Sequence, residues 1–283
     1  MKWLKRFGWL FLAVLVSWLV FAQVAWKFRI SDNTAKKKFA KEGVNLFTET
    51  IRADGFDLHY AKTGNDTLPT LFFVHGSPGG WIKFMKYMYD KDLLKKYRMV
   101  SVDRPGFGYS EFGHVKNLQQ QSDIISVLLK KIQNGKPVYA AGRSYGGPMI
   151  IKLAIDNPGI FDGLVLIAAA LDPAAEKPEK WRSVTYRSPL KYLLPGAWRQ
   201  SNQELWYLKK ELKELVKKLP DITCPVHILH GDKDGLVPVS NAAFAKEMLV
   251  NARSVTVTII PGANHFVSDH HYRLVKDVFL KLE

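Results

Sequence analysis

The sequence predicts an α/β fold: a mostly parallel sheet flanked by helices on both faces. Three observations predict it. From about residue 46 onward, short apolar runs alternate with amphipathic stretches, and such alternation builds a parallel sheet with covered faces. The motifs that carry chemistry fall at the ends of those runs, where ligands of parallel sheets collect. A chain of 283 residues with 47% hydrophobic residues has ample apolar content for a core and is not a disordered one.

The elements follow in order. Residues 45–52 and 56–62, joined at Asp54-Gly55, read as a hairpin. Residues 68–74 form a strand that ends in His75-Gly76-Ser77-Pro78-Gly79-Gly80, and 81–95 have helical periodicity. A strand over 98–102 ends in Asp103-Arg104-Pro105-Gly106-Phe107-Gly108-Tyr109-Ser110. Residues 118–132 read as a helix with Ile124, Ile125, Leu128 and Leu129 on one face. A strand over 137–141 leads into Gly142-Arg143-Ser144-Tyr145-Gly146-Gly147, then a helix from Pro148, then a strand over 164–169. Residues 171–219 break the rhythm with several prolines, Trp181, Trp198, Trp206 and a charged helix over about 202–219. In that helix Leu205, Leu208, Leu212, Leu215 and Leu219 make one stripe and lysines hold the other faces. Such lysines read as a solvated face or as a docking face for an anionic surface or substrate. Alternation resumes with strands over 226–229 and 255–260, helices over 242–250 and 271–282, and the turn Gly231-Asp232-Lys233-Asp234-Gly235.

The N-terminus is a separate region. Residues 7–26 carry no charge, and at a helical rise of about 1.5 Å per residue they match a bilayer core. Trp3, Trp9 and Trp26 lie near the ends, where amphipathic rings favour the interface. Residues 1–29 therefore read as a single-pass membrane anchor, the rival being a signal peptide cut after Val20-Phe21-Ala22. Basic residues on both flanks leave the side of the membrane open. Residues 30–45 read as a polar, basic juxtamembrane linker. The net charge of +15 suggests nucleic acid, but nine basic residues and one acid, Asp32, lie within residues 1–41. More than half of the excess thus flanks the apolar segment, where it favours anionic lipid headgroups. No zinc-finger spacing or aromatic-basic module points to nucleic acid. The lone cysteine, Cys224, excludes an internal disulfide and reads as a small core residue.

The chemistry centres on Ser144. Strand, Gly-x-Ser-x-Gly, helix is the pattern of a nucleophile elbow. A serine hydroxyl is a weak nucleophile unless exposed, oriented and next to a base. A sharp turn exposes it, and Gly142 and Gly146 supply crowded positions without a Cβ. The helix that follows offers free N–H groups to a developing oxyanion.

With these residues in hand, the chain resembles the α/β-hydrolase superfamily over about residues 46–283. The motifs are His-Gly-Ser-Pro at 75–78, Asp-Arg-Pro-Gly-Phe-Gly-x-Ser at 103–110, Gly-x-Ser-x-Gly at 142–146, Gly-Asp-x-Asp at 231–234 and Gly-x-x-His at 262–265. The resemblance implies a triad of Ser144, Asp234 and His265, in the family's order of nucleophile, acid and base. It places the oxyanion hole at the backbone N–H groups of Ser77 and Tyr145, and it makes 171–219 a cap inserted into the hydrolase domain. Asp232 and Asp172 compete with Asp234 as the acid. His75 reads as a structural member of its loop, His227 and His230 as core or turn residues, and His270 and His271 as solvent-facing. Asp103 reads as a brace for its loop.

The resemblance implies a serine hydrolase cleaving carboxylic esters, lipid esters among them because of the anchor. Relatives that open epoxides or remove halides carry an aspartate at the elbow, so Ser144 disfavours those reactions. Thioester cleavage, carbon–carbon hydrolysis and release of an N-terminal proline use the same triad. Against the last, residues 171–219 show no evident acidic cluster to hold a free amine. A non-catalytic receptor or scaffold of the same fold is the remaining alternative. No cofactor or metal is expected: Gly106-Phe107-Gly108 lacks the third glycine of a dinucleotide fingerprint, and no histidine pair has metal-ligand spacing. Oligomeric state is not legible.

Overall fold

The computed structural model describes residues 2–177, 179–187 and 189–283. Eight strands form one sheet: β1 (Phe47–Ala53), β2 (Phe56–Thr63), β3 (Thr70–Val74), β4 (Arg98–Val102), β5 (Val138–Arg143), β6 (Gly163–Ile167), β7 (Val226–Gly231) and β8 (Val255–Ile260). Their order is β1-β2-β4-β3-β5-β6-β7-β8. The β1–β2 hairpin is antiparallel and joins β4 antiparallel; every later pairing is parallel. The central strands are buried on both faces, which is why they read as continuous apolar runs rather than alternating ones.

Alternation decides which core each residue joins. Phe72 and Val74 face one layer with the helices Leu118–Lys131 and Gly146–Asp156, while Leu71 and Phe73 face Trp81, Phe84, Tyr87 and Phe279 on the other. Phe73 stacks on Phe84 with ring centroids 4.5 Å apart. The register aligns the strand ends: Val74 pairs with Val102 on one side and with Gly142 on the other, and Arg143 pairs with Ile167. Residues 75, 103, 144 and 168 therefore leave the sheet along one edge.

Three sequence expectations change. Residues 30–45 are not simply a linker. They contain a helix, Asp32–Lys41, whose Ser31 cap accepts a hydrogen bond from the Thr34 N–H at 3.3 Å. Ala35 and Phe39, one turn apart, are its buried face, with Phe39 against Trp81 and Tyr89. Two apolar positions among lysines were too few to show as periodicity. The helix expected over 81–95 is broken into Trp81–Phe84, Met85–Met88 and Lys91–Lys96, because Asp90 caps the last piece through the N–H groups of Asp92 and Leu93. The closing helix is likewise divided into Val267–His270 and Tyr272–Leu280.

The insertion between β6 and β7 contains the helices Trp181–Arg187 and Ala197–Leu215. The second buries Leu208, Leu212 and Leu215 in the layer that holds the helix Gly146–Asp156. One helix among the described residues, Lys2–Val24, is long and apolar enough to cross a membrane. Its only buried residue is Ala22, at its end. There the chain meets the insertion: Gly196 N–H donates to Ala22 O at 2.7 Å, and Trp18 Nε1 donates to Leu193 O at 3.0 Å.

Candidate active site

β5 ends at Arg143, and the next residue, Ser144, has φ +53°, a left-handed conformation that a side chain adopts only under strain. The turn requires the glycines beside it. A Cβ on Gly142 would lie 2.2 Å from Gly146 O, and one on Gly146 would lie 2.2 Å from Val74 O. The loop after β3 crosses directly over the serine, since a Cβ on Gly76 would lie 2.9 Å from Ser144 Cβ. Among the described residues the backbone N–H groups of Ser77 and Tyr145 donate no hydrogen bond within the protein. Tyr145 is the N-cap position of the helix Gly146–Asp156, so its N–H adds to the positive end of that helix.

The loops after β7 and β8 bring an acid and a histidine together. His265 Nδ1 lies 2.7 Å from Asp234 Oδ2, and because a carboxylate only accepts, the ring carries its proton on Nδ1. Asp234 Oδ1 accepts from the N–H groups of Leu236 and Val237 at 2.9 and 2.8 Å. Burial alone would raise the pKa of Asp234. The hydrogen bonds from His230, His265 and the Val237 N–H outweigh it and hold the carboxyl well below the usual carboxylate range. His230 is buried, with Nε2 3.0 Å from Val237 O and 3.4 Å from Asp234 Oδ2. It is the core or turn residue that the sequence suggests, and it also braces the acid's loop, which position in a strand does not signal.

Of the three candidate acids, Asp234 is the one that contacts His265. Asp232 is exposed and accepts from Gly262 N–H at 2.7 Å, and Asp172 accepts from Ala174 N–H at 2.7 Å within its own turn. No hydrogen bond joins Ser144 to His265 among the described residues. His75 is structural: Nε2 accepts from Arg104 N–H at 3.0 Å, and Nδ1–H donates to Gly76 O at 2.7 Å. Burial, then the nearby Arg104 guanidinium, holds this ring neutral and well below the usual histidine range. Asp103 braces its loop, accepting from the N–H groups of Trp81 and Tyr109 at 2.8 and 3.0 Å.

A buried polar network behind the site escaped the sequence reading. Arg104 donates to His75 O and Gly76 O, at 2.9 and 3.1 Å, and forms a two-pronged pair with Glu204 at 2.8 Å on each arm. Its guanidinium also lies 4.4 Å from the centre of the Tyr145 ring. Glu211, two turns further along the insertion helix, accepts from Leu118 N–H at 3.0 Å and from the Tyr145 hydroxyl at 3.2 Å. Burial first, then the neighbouring Glu204, pushes the Glu211 carboxyl above its ordinary range. The insertion thus holds two acids on one helix, Glu204 and Glu211, and both are already partnered. The spacing of Glu204 and Glu211 on one helix face was the available signal.

Among the described residues, no group of three or more His, Cys, Asp or Glu is placed to hold a metal ion. Leu236 and Phe266, each two residues or fewer from a member of the acid–histidine pair, are exposed apolar side chains.

The chain matches the model of the alpha/beta hydrolase family over residues 71–278 and belongs to that family. It is 26% identical over 204 residues to Epoxide hydrolase 1 of Caenorhabditis elegans, covering 66% of this chain but only 45% of that protein. It is 24% identical over 258 residues to Serine hydrolase BPHL of Mus musculus, covering 83% of this chain and 87% of that one. Among solved structures, a membrane phospholipase A superposes with a TM-score of 0.60 at 19% identity, covering 99% of this chain and 100% of that one. The relatives are hydrolases, and the shared architecture is the α/β-hydrolase fold.

Proposed function

We propose that the protein is a membrane-anchored serine hydrolase that cleaves carboxylic esters through an acyl-enzyme. One observation carries the reading: a strained Ser144 lies at the sheet edge where the loops after β7 and β8 hold the Asp234–His265 pair at 2.7 Å. In this reading Ser144 Oγ attacks the acyl carbon while His265 Nε2 takes its proton. The Ser77 and Tyr145 N–H groups receive the oxyanion, and His265 then protonates the leaving alkoxide. Water repeats the sequence to release the acid. Asp234 stays ionised throughout, holding the Nδ1–H tautomer and stabilising the imidazolium. The missing Ser144–His265 bond is compatible, because such contacts tighten when substrate binds.

Ser144 at the elbow speaks against epoxide opening, in spite of the relative of that name. The pairing of Glu204 with Arg104, and of Glu211 with Tyr145 and the Leu118 N–H, speaks against capture of a substrate amine. Residues 171–219 act in this reading as the cap, and the exposed apolar side chains of Leu236 and Phe266, close in sequence to the acid–histidine pair, suit an acyl chain. The helix Lys2–Val24 is the anchor. Packing of Ala22 and Gln23 against the insertion supports its retention over cleavage between them. The test pairs short and long acyl esters with full-length protein in membranes. Hydrolysis is expected in wild type and not in Ser144→Ala; equal hydrolysis by both contradicts the nucleophile. Mature protein beginning at Gln23 contradicts the anchor.

A further inference from the structure

A cavity of about 300 Å³ opens where the N-terminal helix ends, and Ser144, Asp234 and His265 are not among its lining residues. Its charged and amide side chains are Gln23 and Lys27 on one side and Lys191, Arg199, Gln200 and Gln203 on the other, with no carboxylate among them. Such a lining is unusual for a structural contact. Like charges that converge as they leave water repel one another and lose hydration together. The effect is visible here: burial, followed by the charges of Arg29 and Arg199, lowers the Lys27 ammonium from its ordinary range, and burial lowers Arg199.

Nor are the cations absorbed by other partners. Arg199 donates to Gln23 Oε1 at 2.8 Å, but its Nε is buried and has no hydrogen-bond partner among the described residues. Lys191 and Arg199 both lie over the Tyr192 ring, at 5.2 Å from its centre, and Lys27 lies 5.3 Å from that of Phe112. Rings orient these groups without neutralising them. The nearest candidate counter-charge on the same helix, Glu204, is occupied by Arg104.

We propose that this cavity binds a phosphate mono- or diester, held by Lys27, Lys191 and Arg199, and that its source is the headgroup of an anionic lipid. The lipid source rests on reading Lys2–Val24 as an anchor, which sets the cavity at the bilayer surface; the phosphate chemistry does not. Liquid water takes about 30 Å³ per molecule, so the volume suits a headgroup better than a bare ion. Arginine supplies a planar fork and lysine a point charge, a combination suited to a phosphate with two or three exposed oxygens. A bound headgroup would also bridge the end of the anchor to residues 191–199, fixing the insertion relative to the membrane.

The test is native mass spectrometry of the full-length Ser144→Ala chain released from detergent micelles, so that no lipid is turned over. It is offered dioctanoyl phosphatidylglycerol, dioctanoyl phosphatidylcholine or inorganic phosphate. One phosphatidylglycerol is expected to bind at least tenfold more tightly than phosphatidylcholine. The Lys27→Gln/Lys191→Gln/Arg199→Gln variant should lose that preference, while Lys213→Gln/Lys217→Gln/Lys218→Gln, on the exposed lysine face, should keep it. Equal loss in both variants, or no loss in the first, overturns the site. Cation-dependent binding of inorganic phosphate without a lipid adduct keeps the site and overturns the lipid source. Because turnover is not measured, a wrong assignment of the reaction leaves this result unaffected.

Discussion

The elbow and the insertion are held together by opposite means. At the elbow, backbone packs on backbone: Gly142, Gly146 and Gly76 each occupy a place where one added carbon would meet a neighbour at 2.9 Å or less. At the insertion, side chains do the holding. Glu204 and Glu211 reach to Arg104, Tyr145 and Leu118, while Trp181, Tyr192 and Trp198 remain exposed. A geometry fixed by backbone contacts tolerates one arrangement around Ser144, whereas an insertion held by side chains, the buried Leu208, Leu212 and Leu215 among them, has more freedom to vary in sequence.

The largest effect should come from the triad. His265→Gln is expected to lower kcat on the order of 10⁶-fold and Asp234→Asn on the order of 10⁴-fold, with KM little changed, as measured by steady-state ester hydrolysis. If either variant keeps full activity, the reactive geometry is not the one at the ends of β7 and β8. Next is Glu204→Ala, which leaves Arg104 buried and unpaired. A loss of about 3–5 kcal/mol is expected by chemical denaturation, with Glu204→Gln recovering part of it. Gly146→Ala, where backbone must shift, should cost about 1–3 kcal/mol or more and lower activity with it. A neutral result there would remove the contrast drawn above.

The smallest effect is at Glu211. Its folded carboxyl titrates above its unfolded value, so the folded state holds the proton longer as pH rises. Wild-type stability should therefore fall as pH climbs from about 4.3, the unfolded value, through the raised folded value, and then level off. Glu211→Gln should abolish that decline and be neutral or stabilising by about 1 kcal/mol or less near pH 7. Urea midpoints at pH 4, 5.5 and 7 would show it. An unchanged pH profile would mean that the carboxyl is not buried against Tyr145.

The legible parts of the molecule were local ones. Ser144, Asp234 and His265 each follow a strand in a turn of recognisable composition, so a few contiguous residues carried each assignment. The register of β3, β4 and β5 then sets residues 75, 103 and 144 on one edge, as alternation of strand and helix implied. What was not legible depends on separation in sequence. Arg104 and Glu204, one hundred positions apart, are a pair that only folding brings together, and each taken singly resembles an ordinary surface charge in the chain. The helix Asp32–Lys41 was hidden because its buried face is two residues wide. His230 is buried as its place in a strand implies, but its contact with the acid's loop was not legible, because a strand's last residues belong to the core on one side and to the site on the other.

The central claim is that Ser144 is the acylated nucleophile. Its most direct measurement is tryptic mapping of full-length protein in membranes after reaction with a fluorophosphonate. The account predicts a single adduct, on the peptide spanning residues 144–152, lost in Ser144→Ala and strongly slowed in His265→Gln. An adduct on another residue, or labelling that persists in Ser144→Ala, would contradict it.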